Sequence, residues 1–145
     1  MKTALITRRL AMAMLAVSLF SACKKDSVDA ITPTTDLGTR AAGQYTLTEL
    51  SAGGKTIPAA QADLKGTISI TRATATSANI DFNIRSKSDN DEVLVGNVNG
   101  LELSASGNVI AFKGQNAQVA TLNGNKLSVE IEDNSGVAVT FIATK

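Results

Sequence analysis

Four stretches of this chain alternate apolar and polar side chains with a period of two, a rhythm that suits a β-sheet with one wet face and suits a helix poorly. Ala78, Ile80, Phe82 and Ile84 interleave with Asn79, Asp81, Asn83 and Arg85, and Leu127, Val129 and Ile131 with Lys126, Ser128, Glu130 and Glu132. Leu101 and Leu103 against Glu102 and Ser104, and Ile68 and Ile70 against Thr67, Ser69 and Thr71, repeat the pattern. Between these runs lie Asn99-Gly100, Gly107-Asn108, Gly114-Gln115-Asn116, Asn123-Gly124-Asn125 and Asn134-Ser135-Gly136. Such residues accept the positive φ that tight hairpin turns demand, so strands adjacent in sequence are expected to be adjacent in the sheet.

Strands are expected over residues 44–51, 66–73, 77–85, 92–98, 101–105, 109–113, 117–122, 126–132 and 137–144. Residues 58–64, with Pro58 ahead of Ala59, Ala60, Gln61 and Ala62, read as one or two helical turns. The fold class is therefore all-β. A flat meander would leave a greasy face and two open edges, so the sheet must close into an up-and-down barrel of about eight or nine strands, or fold over as a two-sheet sandwich. The folded domain is expected over residues 43–145.

Gly43-Gln44-Tyr45, at the start of the first strand, resembles the Gly-x-Trp signature that opens lipocalins. The resemblance implies a lipocalin-like barrel with the Tyr45 ring packed across its closed bottom and the stretch 53–64 carrying the connection over a barrel end. Tyr45 stands in place of Trp, no Arg in the last strand is available to stack on the ring, and the long C-terminal helix of lipocalins is missing.

The first 22 residues have a separate logic. Lys2, Arg8 and Arg9 are followed by an apolar run from Leu10 to Phe20 and by the small residues Ser21 and Ala22. This is the order of an export signal. As a helix the apolar run rises only about 16 Å, roughly half the hydrocarbon core of a bilayer, too short for a permanent span. Leu19-Phe20-Ser21-Ala22-Cys23 resembles the lipobox of bacterial lipoproteins, in which the cysteine thiol is acylated and the chain is cut just before it. The resemblance implies lipidation of Cys23 and two or three acyl chains, and two chains suffice for stable anchoring. Lys24 in place of Asp after the cysteine implies the outer membrane, with the domain facing the periplasm or the cell surface. Cys23 is the chain's single cysteine. A free thiol elsewhere would be a liability in an oxidising compartment. From residue 24 to 42 the chain is polar, with Pro33 and Gly38 and no periodic apolar face. It reads as a flexible tether with a root-mean-square reach of roughly 25 Å.

Without the signal, three of the fourteen basic residues leave and eleven face thirteen acids. A weakly acidic domain of this kind has no basic field for nucleic acid. The chain has no His and no Trp, and no thiol is left once Cys23 is acylated. Imidazole bases, Cys/His metal sites and thiol nucleophiles are thereby excluded, and no cofactor or metal is expected. Glu130 and Glu132 take the wet parity of their strand, where nothing raises a carboxyl pKa. Asp89-Asn90-Asp91-Glu92 is rich in oxygen but lacks the spacing and the glycine of a calcium loop, and reads as a polar turn. No catalytic residue is assigned.

Tyr45, Leu47, Ile70, Phe82, Phe112 and Phe141 take the inward parity and are the candidate lining of a cup for a small apolar or amphiphilic ligand. Arg72 follows Ile68 and Ile70 on the same face near a strand end, as Glu49 follows Tyr45 and Leu47. The two either snorkel and pair with each other or, for Arg72, meet the head group of an acidic amphiphile. The expected function is thus a membrane-anchored, non-enzymatic binding module. The alternative is an interaction protein whose filled barrel displays loops to another envelope component or inhibits a foreign hydrolase.

Overall fold

Alternation along the strands becomes alternation between a packed interior and a wet surface. In a computed structural model, residues 35–115, 117–132 and 136–145 are described. The export segment, Cys23 and the tether up to residue 34 lie outside the described residues, as do Asn116 and residues 133–135 of two expected turns. The elements run α1 (Leu37–Ala41), β1 (Gly43–Ala52), β2 (Lys55–Pro58), β3 (Leu64–Thr74), β4 (Ser77–Ser86), β5 (Glu92–Ser106), β6 (Val109–Lys113), β7 (Gln118–Asn123), β8 (Lys126–Glu132) and β9 (Ala138–Thr144). All pairings are antiparallel, in the order β2-β1-β3-β4-β5-β6-β7-β8-β9, and β1 also pairs with β9. Eight strands therefore close into an up-and-down barrel, compatible with a lipocalin-like one, and the sandwich is set aside. The ninth strand, β2, is a short addition on β1.

Three expectations are corrected. Asn99-Gly100 is no hairpin turn: β5 runs through it for 15 residues. The Gly100 N–H donates to Asn79 Oδ1 at 2.9 Å, the register slips by one residue between Ala78 and Ile80, and Gly100 takes φ +69°, so the dipeptide makes a bulge within one continuous strand. Residues 58–64 form no helix. Lys55–Pro58 pairs with the end of β1, and only the Gln61 and Ala62 amides turn back onto the Pro58 carbonyl before β3 begins. Finally, ordered structure starts before residue 43, because Leu37–Ala41 of the presumed tether is a helix. A run of five residues is too short to display a helical period, and the usable sign was the capping pair Asp36 and Thr39.

That helix lies at the barrel end where β1, β4, β6 and β8 begin, and plugs it with Leu37 and Ala41. Asp36 Oδ1 accepts the Thr39 N–H at 2.8 Å, and the Tyr45 hydroxyl donates to the Ala41 carbonyl at 2.8 Å from a side chain only 1% exposed. Burial pushes the Tyr45 phenol above its ordinary pKa. Lys145, just beyond β9, donates to the Ala42 carbonyl at 2.8 Å and holds its ammonium 5.7 Å from the centre of the Tyr45 ring. The last strand has no arginine for the ring, and a lysine one residue past it supplies the cation instead.

Gly38 sets how closely the helix sits. Its N–H donates to the Ala75 carbonyl at 3.1 Å, and a Cβ there would stand 2.2 Å from the Thr74 carbonyl oxygen and 2.8 Å from Arg72 Cγ. Gly38→Ala is expected to unseat the plug at a cost of about 2–3 kcal/mol. Urea unfolding checks the magnitude. Because Tyr45 is the sole tyrosine and tryptophan is absent, its fluorescence reports this end alone. The Asp36 carboxyl is held below its ordinary pKa, first by the Thr39 amide and then by Arg72. The stability it contributes to the cap is present above the unfolded aspartate pKa and is lost as pH falls through the lowered folded value.

The interior is filled. Tyr45, Ile68, Ile80, Ile84, Leu101, Ile110, Phe112, Leu127 and Val129 are almost fully buried. Burying each side chain of this size contributes about 1.5–3 kcal/mol.

Candidate functional site: a cleft in the barrel wall

Away from the plug, the barrel wall is not paired all the way round. β5 pairs with β4 from Glu92 to Glu102, but with β6 only from Glu102 to Ser106. Its other edge, over residues 92–101, faces no strand among the described residues. The reason is the shortness of the β6–β7 hairpin: the Gly114 N–H turns onto the Ala117 carbonyl at 2.9 Å, level with Leu101, and the chain descends again. β8 likewise pairs with β7 only from Lys126 to Val129. The upper part of β5 and the end of β8 are left facing a gap.

A cleft of about 360 Å³ occupies that gap. Its back is Ile80 and Phe82 of β4, one side is Leu94, Gly96, Val98 and Leu101 of β5, and the other is Val119 of β7 with Val129 and Ile131 of β8. Asn97 and Glu130 bring the polar groups. Glu130 is the one ionisable lining residue and is exposed, and its carboxylate has no ion-pair or hydrogen-bond partner among the described residues. The arrangement can hold an apolar body with hydrogen-bonding groups near its mouth. It offers no nucleophile with a base beside it.

Of the six residues expected to line a cup and Arg72 expected at its rim, Phe82 alone lines this cleft. Tyr45 packs at the plugged end, and Leu47, Ile70, Phe112 and Phe141 are buried in the filled interior. Arg72 reaches neither the cleft nor Glu49. Its Nε lies 3.0 Å from Asp36 Oδ2 at the plugged end, while Glu49 sits 3.6 Å from Lys126 Nζ. Both are surface pairs worth little stability. The pairing of Arg72 with Glu49 is therefore corrected: inward parity at a strand's last residues directs a long side chain past the barrel rim, and α1, absent from the expected fold, brings the nearer carboxylate.

Leu94, Gly96, Val98 and Val119 escaped the sequence reading. The sign was available in Val93-Leu94-Val95, an apolar run that breaks the alternation and marks a strand with apolar groups on both faces. The loop before β5 is a polar turn: Asp89 Oδ1 accepts the Asp91 N–H at 3.1 Å, and Arg85 Nη2 meets Glu92 Oε1 at 2.9 Å. Its base is pinned by Asp63, whose carboxylate accepts Ser88 Oγ at 2.6 Å and Ser86 Oγ at 2.8 Å, and these bonds hold the Asp63 pKa down. Among the described residues no cluster of three acid, His or Cys side chains could hold a metal ion.

Fold and site together define a closed eight-stranded antiparallel β-barrel with one plugged end and a lateral apolar cleft. No family model, curated protein or solved structure matches the chain.

Proposed function

We propose that the protein is a cell-envelope lipoprotein, acylated at Cys23 and held at the outer membrane, whose barrel is a non-enzymatic binding module for a small apolar or amphiphilic molecule. The observation that carries the ligand half is the wall cleft of about 360 Å³, apolar on three sides and polar only at Asn97 and Glu130. Pockets of that volume and lining suit small molecules with an apolar body. The charged group at the cleft is a carboxylate, and Asn97 adds an amide, so a neutral or hydrogen-bond-donating amphiphile fits it better than the acidic one matched to Arg72. The anchoring half is supported by the order of residues 1–23, a charged start, a short apolar run, two small residues and the sole cysteine.

Nile red, an uncharged apolar dye, tests the cleft. Val98 faces inward into it yet stays 41% exposed, so Val98→Trp fills the space without displacing the packed interior. The variant is expected to change stability by less than about 1 kcal/mol and to weaken dye binding about tenfold or more. Equal dye binding by parent and variant would show that the cleft is not the binding site.

A further inference from the structure

The free edge of β5 is a second feature of the same wall, and its capacity to pair is independent of any small ligand. Residues 92–98 read Glu-Val-Leu-Val-Gly-Asn-Val. Of the five exposed large apolar side chains among the described residues, three lie on this segment: Val93 at 50%, Val95 at 45% and Val98 at 41%. Unpaired edges recruit other strands unless charge, proline, a bulge or a covering element prevents it. Among the described residues no element covers this edge, and its two register slips, beside Val93 and at Asn99-Gly100, lie at the ends of the segment and leave residues 94–98 regular. Residues 93–98 carry no charge and no proline, and Glu92 is engaged by Arg85.

We propose that β5 pairs antiparallel with β5 of a second copy, about a two-fold axis centred on Val95. Around that axis Val95 faces itself, Leu94 faces Gly96 of the second copy, and Val93 faces Asn97 of the second copy. Every opposed pair shares one face of the sheet, as antiparallel pairing requires. On the inner face the match is one of shape, because nothing lies within 4 Å of where a Cβ on Gly96 would stand, and the facing leucine has that space to enter. Centring the axis on Gly96 instead would leave the space empty and drive the added strand against the turn at Gly114–Ala117, beside Leu101.

Charge agrees with this choice. The added strand lies on the side of β5 that β6 occupies lower down, and it brings the acidic lead-in of the second copy, Asp89 and Asp91, toward Lys113 at the end of β6. Lys113 is exposed and, although opposite Glu102 in the β5–β6 ladder, forms no ion pair among the described residues. The two-fold makes the contact twice, so the interface is isologous and closed, and does not propagate into fibres. Each copy supplies the strand missing from the other's wall, and each Leu94 roofs the other's cleft.

Sedimentation velocity on the full chain carrying Cys23→Ser, which leaves no thiol and no acyl chain, tests the pairing. A reversible, concentration-dependent dimer is expected, and Val95→Lys on the exposed outer face should weaken it about tenfold or more. Register is read separately by cross-linking in the same background. Val95→Cys should oxidise to a disulfide-linked dimer because the residue faces itself, and Val93→Cys, which faces Asn97, should not. A chain that stays monomeric at all concentrations, an association that Val95→Lys leaves unchanged, or a Val93→Cys chain that cross-links as readily as Val95→Cys would overturn the proposal. So would a monomer recovered with a foreign extended segment on this edge.

Discussion

A Gly66→Ala chain is expected to lose about 3–5 kcal/mol of stability, while Gly96→Ala loses only about 1–2 kcal/mol. The comparison isolates sterics, because the two glycines have nearly the same backbone, φ +152° and +156°. They differ in what a side chain would meet. A Cβ on Gly66 would stand 2.2 Å from the Asn83 carbonyl oxygen and 2.7 Å from Ile84 Cα, both backbone atoms of β4 that cannot swing aside. One on Gly96 would meet nothing within 4 Å. Gly66 sits in the β3–β4 ladder, which runs from Leu64 opposite Ser86 to Thr74 opposite Ser77, so pushing these strands apart opens a long stretch of barrel wall. Urea unfolding of the two variants side by side separates the two causes. Equal losses would mean that backbone conformation alone sets the cost.

Replacing Cys23 by Ser is expected to abolish labelling by radioactive palmitate and to leave the chain uncut, with residues 1–22 still attached. The acyl chains, not the signal, make the lasting attachment: each buried methylene contributes about 0.8 kcal/mol, so two chains bind a bilayer almost permanently, whereas the apolar run of residues 10–20 is too short to span one. Barrel stability should be untouched, since the described barrel closes on itself from Asp36 onward without residue 23. Persistent label in the Ser variant would refute the anchor.

Strand positions were legible wherever one face is packed and the other wet. Val109–Lys113 and Lys126–Glu132 fall where they were expected, those expected at 66–73 and 77–85 differ by a residue or two at their ends, and those at 92–98 and 101–105 are one strand. Lys55–Pro58 was not legible. All four of its residues are exposed, and it is a strand because the end of β1 offers it a free edge beyond β3. Asn99-Gly100 misled for the opposite reason: the dipeptide meets the local requirements of a turn, yet β4 keeps the chain extended beside it, and Asn79 supplies the acceptor that stabilises a bulge. At the site, inward parity found Phe82 together with the wall positions Ile80, Leu101, Val129 and Ile131. It gave no means of separating them from Phe112 or Ile70, which share the parity but are buried in the filled interior.

By itself, the sequence determined which side chains face in wherever a strand alternates, that the sheet is antiparallel, and that His, Trp and all but one thiol are missing from any chemistry the protein performs. These are local properties, set by the two-residue period of a strand and by inventory. Only the tertiary structure decided where the wall stays open. That depends on β5 extending ten residues beyond its pairing with β6, on a hairpin that turns back at Gly114, and on a five-residue helix closing the far end. A pairing length belongs to two strands at once, and no single stretch of sequence contains it.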